Sequence, residues 1–269
     1  MKERIDVLLV DRGLVSSRER AQAFLMAGSV TVNGLQETKA GTRVDTEAEI
    51  VLTKDPIPYV SRGGLKLEAA LDLWNIKLEG LICIDIGAST GGFTDLMLKR
   101  DALKVYAIDV GYGQLDYRLR NDLRVVNMEK TNIRLLDAGT FPEKAAFISI
   151  DVSFISLKLV LPVAVKLLEV IKEGDSDALR DAVEPKIVCL VKPQFEAERG
   201  EVGKGGIVKD PAVHASVLKK VRGYAHENGL DVISEMESPI RKAKGNIEYL
   251  MLLEHHKARA ICGAEAQNE

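Results

Sequence analysis

The chain has 269 residues, 46% hydrophobic and 29% charged, with a net charge of −3. This composition leaves little room for extended disorder and suits a small and a medium domain. No apolar run reaches the roughly 18 to 20 residues of a membrane span, so the chain reads as cytoplasmic with no membrane expected. The slight acidic excess excludes a globally basic binder of nucleic acid, so any such contact must come from a local patch.

Ile5, Leu8 and Leu9 have helical spacing before Gly13, and Ala21, Phe24 and Leu25 repeat it before Gly28, so two short helices open the chain. Ser16-Ser17-Arg18-Glu19 predicts a capping box at the second, built on the Ser16 hydroxyl and the Glu19 carboxylate. Val30 and Val32 then alternate with polar neighbours, Asn33-Gly34 has tight-hairpin chemistry, and short strands are expected to about Leu52. This ordered pattern resembles the alpha-L RNA-binding domain over roughly residues 3 to 60. The resemblance implies backbone contacts to structured RNA through Arg4, Arg12, Arg18, Arg20 and Asn33. From charge alone the competing reading is that these arginines only solvate a helix face, because residues 1–60 hold eight Lys or Arg against nine Asp or Glu.

Asp55-Pro56-Ile57-Pro58 disfavours both helix and central strand and marks a linker. Beyond it, apolar strands at Leu81–Ile86, Val105–Val110, Ala146–Asp151, Ile187–Val191 and Tyr249–Leu253 alternate with helical stretches. That alternation predicts an α/β, Rossmann-like domain: a parallel sheet with helices on both faces and a ligand crevice at the carboxyl ends of its strands. The expected division is 1–58, 59–256 and a flexible tail, 257–269, with Glu173 to Glu184 as an acidic surface insertion.

The first strand runs into a turn with glycines at 87, 91 and 92, suited to close approach of a nucleotide-type cofactor. Asp85, inside that strand, would repel a pyrophosphate but suits a cationic, phosphate-free cofactor such as S-adenosylmethionine. Asp109 ends the next strand, where a carboxylate can accept both hydroxyls of an adenosine ribose. The cofactor contacts are accordingly placed on Asp85, Gly87, Ser89, Thr90, Gly91, Gly92, Phe93, Asp109 and Asp151. Gly203-Lys204-Gly205-Gly206 is not a phosphate loop, since Gly205 and Glu198 break the pattern; Arg199 to Asp210 reads as a mobile flap or an ordinary surface loop. Cys83, Cys189 and Cys262 form neither a disulfide framework nor a zinc site, and His214, His226, His255 and His256 lack metal spacing, so no metal is expected.

Lys66, Asp151, Lys192 and Glu248 lie in the strings Ser61–Lys66, Ile148–Asp151, Leu190–Phe195 and Gly245–Tyr249. These strings resemble the FtsJ-like ribose methyltransferases, and the whole chain resembles their TlyA group over nearly all of residues 3 to 256. The resemblance implies an S-adenosylmethionine-dependent methyltransferase acting on a cytidine 2′-hydroxyl of ribosomal RNA, in the small or large subunit or both, with those four residues as its catalytic tetrad. Without the resemblance, Lys66 reads as a solvent-facing lysine on a helix. A ribose hydroxyl is a poor nucleophile, so its proton must be accepted or its developing charge stabilised. Lys192 is the candidate for either role: a base if Lys66 and burial lower its basicity, an electrostatic guide if the carboxylates dominate. Two other functions compete: a membrane-lytic haemolysin, a label also given to TlyA-group members, and an RNA-binding protein without methyl transfer.

Overall fold

The computed structural model describes residues 1–53, 58–143, 145–168, 184–240 and 245–256. The chain divides into two compact units, Met1–Pro58 and Tyr59–Glu269.

The first unit runs β1 (Lys2–Arg4), α1 (Ile5–Asp11), α2 (Arg18–Met26), β2 (Val30–Val32), β3 (Leu35–Gln36), β4 (Arg43–Asp45) and β5 (Ile50–Leu52). Ile5, Leu8 and Leu9 on one helix close over Ala21, Phe24 and Leu25 on the other, with Val30 and Val44 sealing the core. The hairpin forms as read: Val32 pairs with Leu35, and the two residues between them, Asn33 (φ 49°) and Gly34 (φ 79°), take the left-handed backbone of a type I′ turn. The helix cap differs by one residue. Ser17, not Ser16, is extended at the N-cap, and its Oγ accepts the Arg20 N–H at 3.2 Å. With two serines in a row, the one whose carbonyl opens the helix is decided by packing of Ala21 and Phe24, not by local propensity.

The second unit is built on α3 (Gly63–Leu73), β6 (Ile82–Ile86), α4 (Gly92–Lys99), β7 (Lys104–Ile108), α5 (Tyr117–Arg120), β8 (Val125–Met128), β9 (Phe147–Ile150), α6 (Leu161–Leu167), β10 (Lys186–Val191), α7 (Pro193–Glu196), α8 (Pro211–Glu227), β11 (Leu230–Glu237) and β12 (Tyr249–His255). The strands form one sheet in the order β11-β12-β10-β9-β6-β7-β8. Pairing from β8 through β10 is parallel, whereas β12 runs antiparallel to both β10 and β11. That one reversal departs from the all-parallel expectation. Residues 238–248 between β11 and β12 contain no described helix to carry the chain back, and an antiparallel return needs none.

Both faces of the sheet are covered. Ile84, Ile86, Ile148, Ile150, Ile187 and Val191 pack under α6 and α8. Their neighbours Cys83, Val105, Phe147, Val188 and Leu190 pack under α3 and α4. Cys83 and Cys189 are buried free thiols; Cys262, the insertion from Glu173 and the tail from Lys257 lie outside the described residues, except Glu184. The chain runs outward from β6 to β8 and returns to β9 on the other side of β6, so the strand order reverses between β6 and β9. A crevice opens at the carboxyl ends of strands at such a point.

Candidate active site

The crevice is made by a close approach of two strand exits. Asp151 N–H, just past β9, donates to Ile86 O at 2.9 Å. Gly87, just past β6, has φ 88°, and a Cβ there would stand 2.4 Å from Asp151 O, so only glycine allows the two turns to touch. Gly92 opens α4 against α3: its Cβ would meet Ser61 Oγ at 2.3 Å and the Gly64 backbone nitrogen at 2.9 Å.

Two cavities meet here. The larger, about 520 Å³, is bounded by Gly87, Ser89, Asp109, Asn132, Asp151 and Phe154, with Ile108, Val110, Ile133 and Ile155 as apolar wall. The smaller, about 190 Å³, is bounded by Ser61, Gly63, Thr90, Gly92, Phe93 and Lys192. Gly87, Ser89, Asp151 and Ser153 line both. Asp109 ends β7, and each carboxylate oxygen accepts one backbone N–H at 2.7 Å, from Ser89 and from Gly111. A carboxylate has about four acceptor positions, so two remain for hydroxyls. An apolar slot ending in a half-satisfied carboxylate, with a second carboxylate (Asp151) at the strand switch, fits an adenosine with a cationic tail.

Asp85 lies elsewhere. It is fully buried inside β6, with Oδ2 accepting Thr94 Oγ1–H at 2.7 Å and Oδ1 accepting Ser149 Oγ–H at 3.0 Å, and it lines neither cavity. Burial pushes its pKa up to about 7 despite those two bonds. Gly91 likewise lines neither cavity, serving as the left-handed N-cap of α4.

The four residues of the tetrad form two ion pairs. Lys66, on α3, reaches Glu248 Oε2 at 2.6 Å across 182 residues of sequence, and both side chains are largely buried. Lys192 follows β10 directly, is 9% exposed, and stands 2.5 Å from Asp151 Oδ1. Lys192 Nζ also donates a hydrogen bond to Ser153 Oγ at 2.9 Å. The last pair of the β10–β12 register is Val191 with Tyr249. Continued by one residue, that register sets Lys192 beside Glu248, whose own carbonyl accepts the Ser238 N–H at 2.9 Å. Asp151 and Lys192 thus form one pair at the cavities, and α3 brings Lys66 to Glu248 as a second pair that lines neither cavity. Ser153 was missed from sequence, and its only signal was proximity to Asp151.

The loop from Arg199 to Asp210 is tied down. Asn246 clasps it through Oδ1, which accepts Val208 N–H at 2.8 Å, and Nδ2, which donates to Gly206 O at 2.8 Å. Buried His214 bonds Val208 O and the Tyr249 hydroxyl, each at 3.0 Å. These bonds fit the ordinary-loop reading and not a free flap.

In the first unit the arginines have internal partners. Arg4 makes a two-pronged contact to the buried Asp6 carboxylate at 2.9 and 3.0 Å, and Arg18 adds a third bond at 2.9 Å. The Arg4 guanidinium, helped by Arg18, holds the Asp6 carboxyl far below the usual carboxylate range. Arg12 donates to Ala48 O at 2.8 Å and to Thr46 O. Arg20 contributes its backbone to the α2 cap, and Asn33 Oδ1 accepts Glu49 N–H at 2.9 Å, bracing the hairpin. Arg4 and Arg18 nevertheless keep about half of their side-chain surface exposed. Among the described residues no cluster of three or more His, Cys, Asp or Glu could hold a metal, and no helix is long and apolar enough to cross a membrane.

Comparison with known proteins identifies the family of each unit. Residues 59–255 match the FtsJ-like methyltransferase family and residues 3–50 match the S4 domain. The chain is 43% identical, over 97% of its own length and 92% of the relative's, to a Mycobacterium tuberculosis protein named 16S/23S rRNA (cytidine-2'-O)-methyltransferase TlyA. It is 41% identical to a Brachyspira hyodysenteriae protein named Hemolysin A, over 92% and 98% of the two chains. A solved structure bearing a hemolysin name, from Streptococcus thermophilus, superposes with a TM-score of 0.69 at 42% identity, covering 99% of this chain and 96% of the other.

Proposed function

The chain belongs to the FtsJ-like methyltransferase family and carries an S4 domain, and from that premise we propose that it methylates a cytidine 2′-oxygen of ribosomal RNA using S-adenosylmethionine. One observation carries the reading: the Lys192–Asp151 pair borders the smaller cavity, which shares Gly87, Ser89, Asp151 and Ser153 with the cavity that holds Asp109. The relatives' names supply the nucleic acid and the base.

S-adenosylmethionine, when bound, supplies a methyl group on a positive sulfur. Asp109 would hold the ribose hydroxyls of that cofactor, and the Gly87–Ser89 turn would let it lie close to the backbone. The chain's own part in the reaction is to bring a 2′-oxygen into line and to stabilise the charge that develops on it. Lys192 does this as a held ammonium: Asp151 and Ser153 fix it, and it borders the smaller cavity. Lys66 is matched by Glu248 rather than set as a bare cation against Lys192. This favours the electrostatic role for Lys192 over the role of base. Burial in a water-poor pocket strengthens such an interaction well beyond its worth in solvent.

The test is transfer of labelled methyl from S-adenosylmethionine to ribosomal subunits purified from cells lacking the protein, followed by mapping of 2′-O-methyl nucleotides. Label at a single cytidine in one or both subunit RNAs is the expected result. No transfer to either subunit or to free RNA overturns the proposal; release of haemoglobin from erythrocytes by the same preparation would then support the lytic reading.

A further inference from the structure

Lys192 has three N–H donors. One side of the ammonium faces Asp151 at 2.5 Å, a second donor goes to Ser153 Oγ at 2.9 Å, and the lysine borders the smaller cavity. Ser153 thus gives the ammonium a second fixed partner beside the Asp151 carboxylate. Ser153 also lines both cavities, the one ending in Asp109 and the one containing Lys192.

The turn that carries Ser153 is held against the turn that carries Lys192 by contacts independent of this hydrogen bond. Phe154 adopts φ 64°, a left-handed backbone that costs a residue with a side chain about 1 kcal/mol or more and persists only where surroundings enforce it. Its ring centroid lies 5.0 Å from that of Phe195, while the residue is 91% exposed. One residue further on, Glu196 accepts Ser156 Oγ–H at 2.6 Å and the Leu157 N–H at 2.8 Å. Residues 153–157 and 192–196 are thus joined at three successive points, of which the Lys192–Ser153 bond is the one that reaches the crevice.

We propose that Ser153 is a positioning residue for methyl transfer: its hydroxyl aims the Lys192 ammonium at the acceptor oxygen. This rests on the methyltransferase reading given above. A carboxylate alone can hold an ammonium at many angles, whereas a hydroxyl on a stapled turn restricts it to one. Loss of that restriction lowers the turnover step without loosening either ligand.

The experiment uses the full chain with 15N-labelled lysine, its Lys192 ammonium resonance assigned by Lys192→Arg. Ser153→Ala is expected to move that resonance, to lower kcat about 10- to 100-fold, as loss of an orienting partner does elsewhere, and to leave S-adenosylmethionine affinity by calorimetry and KM for RNA within about twofold. Ser153→Thr keeps the hydroxyl and is expected to return kcat to within about threefold of the original, on the same argument. Wild-type kcat in Ser153→Ala, an unmoved Lys192 resonance, or a Ser153→Thr variant as slow as the alanine variant each overturns the proposal. Failure of the methyltransferase reading is told apart because the unsubstituted chain would then transfer no methyl.

Discussion

In the first unit the charged side chains turn toward the fold. Arg4 and Arg18 share the buried Asp6 carboxylate, and Arg12 caps two backbone carbonyls. In the second unit Lys66 pairs with Glu248, and Lys192 pairs with Asp151 where strands end and cavities begin. Both sets are ion pairs of similar length. The difference is what lies on the far side of the pair: Asp6 has only core behind it, so its bonds hold two helices together, whereas Lys192 and Asp151 border space that a ligand can enter. An ion pair thus serves chemistry when part of its bonding capacity faces a cavity.

Substitutions can break this contrast, and the largest effect belongs to Lys192. Lys192→Ala is expected to lower methyl transfer by about a thousandfold, the scale of a lost charge-stabilising donor, while the thermal unfolding transition stays close to that of the original chain. Next come Lys66→Ala and Glu248→Ala. Because the two side chains act as a pair, the double variant should be no slower than the slower single one, and additive losses in a double-mutant cycle would separate their roles.

A smaller effect, on stability rather than rate, is expected in the first unit. Asp6→Ala should destabilise it by about 2 to 3 kcal/mol, the cost of losing charged hydrogen bonds, read by chemical denaturation. The sign with pH follows from the lowered Asp6 carboxyl: its stabilisation is complete above the ordinary carboxylate range and is lost as pH falls through its depressed folded value. Asp6→Asn should therefore flatten the acid limb of the stability curve. No change in stability would mean that Arg4 and Arg18 are held for RNA alone.

A further effect, confined to the higher pH range, falls on Asp85. Its pKa is raised to about 7, so the folded state binds the proton more tightly than the unfolded chain does, and stability falls as pH rises from about 4 through 7. Asp85→Asn should raise Tm relative to the original at pH 8 and have less effect at pH 5. A loss of S-adenosylmethionine affinity in that variant, with stability unchanged, would restore Asp85 to the cofactor site.

What was legible in the sequence follows from burial. The central strands β6, β7, β9 and β10 are covered on both faces, so they read as unbroken apolar runs such as Ile82–Ile86. The edge strands β8 and β11 escaped, since an edge has one wet side: Asn127 and Glu235 interrupt their patterns. The two ion pairs involve residues that could be singled out because each sits at a strand end or in a short string with its own signature. The destination of Asp85 could not, because the two hydroxyls that bind it, Thr94 and Ser149, are brought together only by the packing of α4 and β9 on β6. The arginines of the first unit escaped for the same reason, as Asp6 lies twelve residues from Arg18 and its burial depends on both helices.

The most direct test of the contrast between the two units is single-turnover methyl transfer from S-adenosylmethionine to ribosomal RNA by Lys192→Ala, with RNA binding measured in the same samples. RNA affinity equal to that of the original chain together with loss of transfer to the mapped cytidine is the predicted result. Transfer at the original rate would contradict the assignment of the sheet-edge pairs to catalysis.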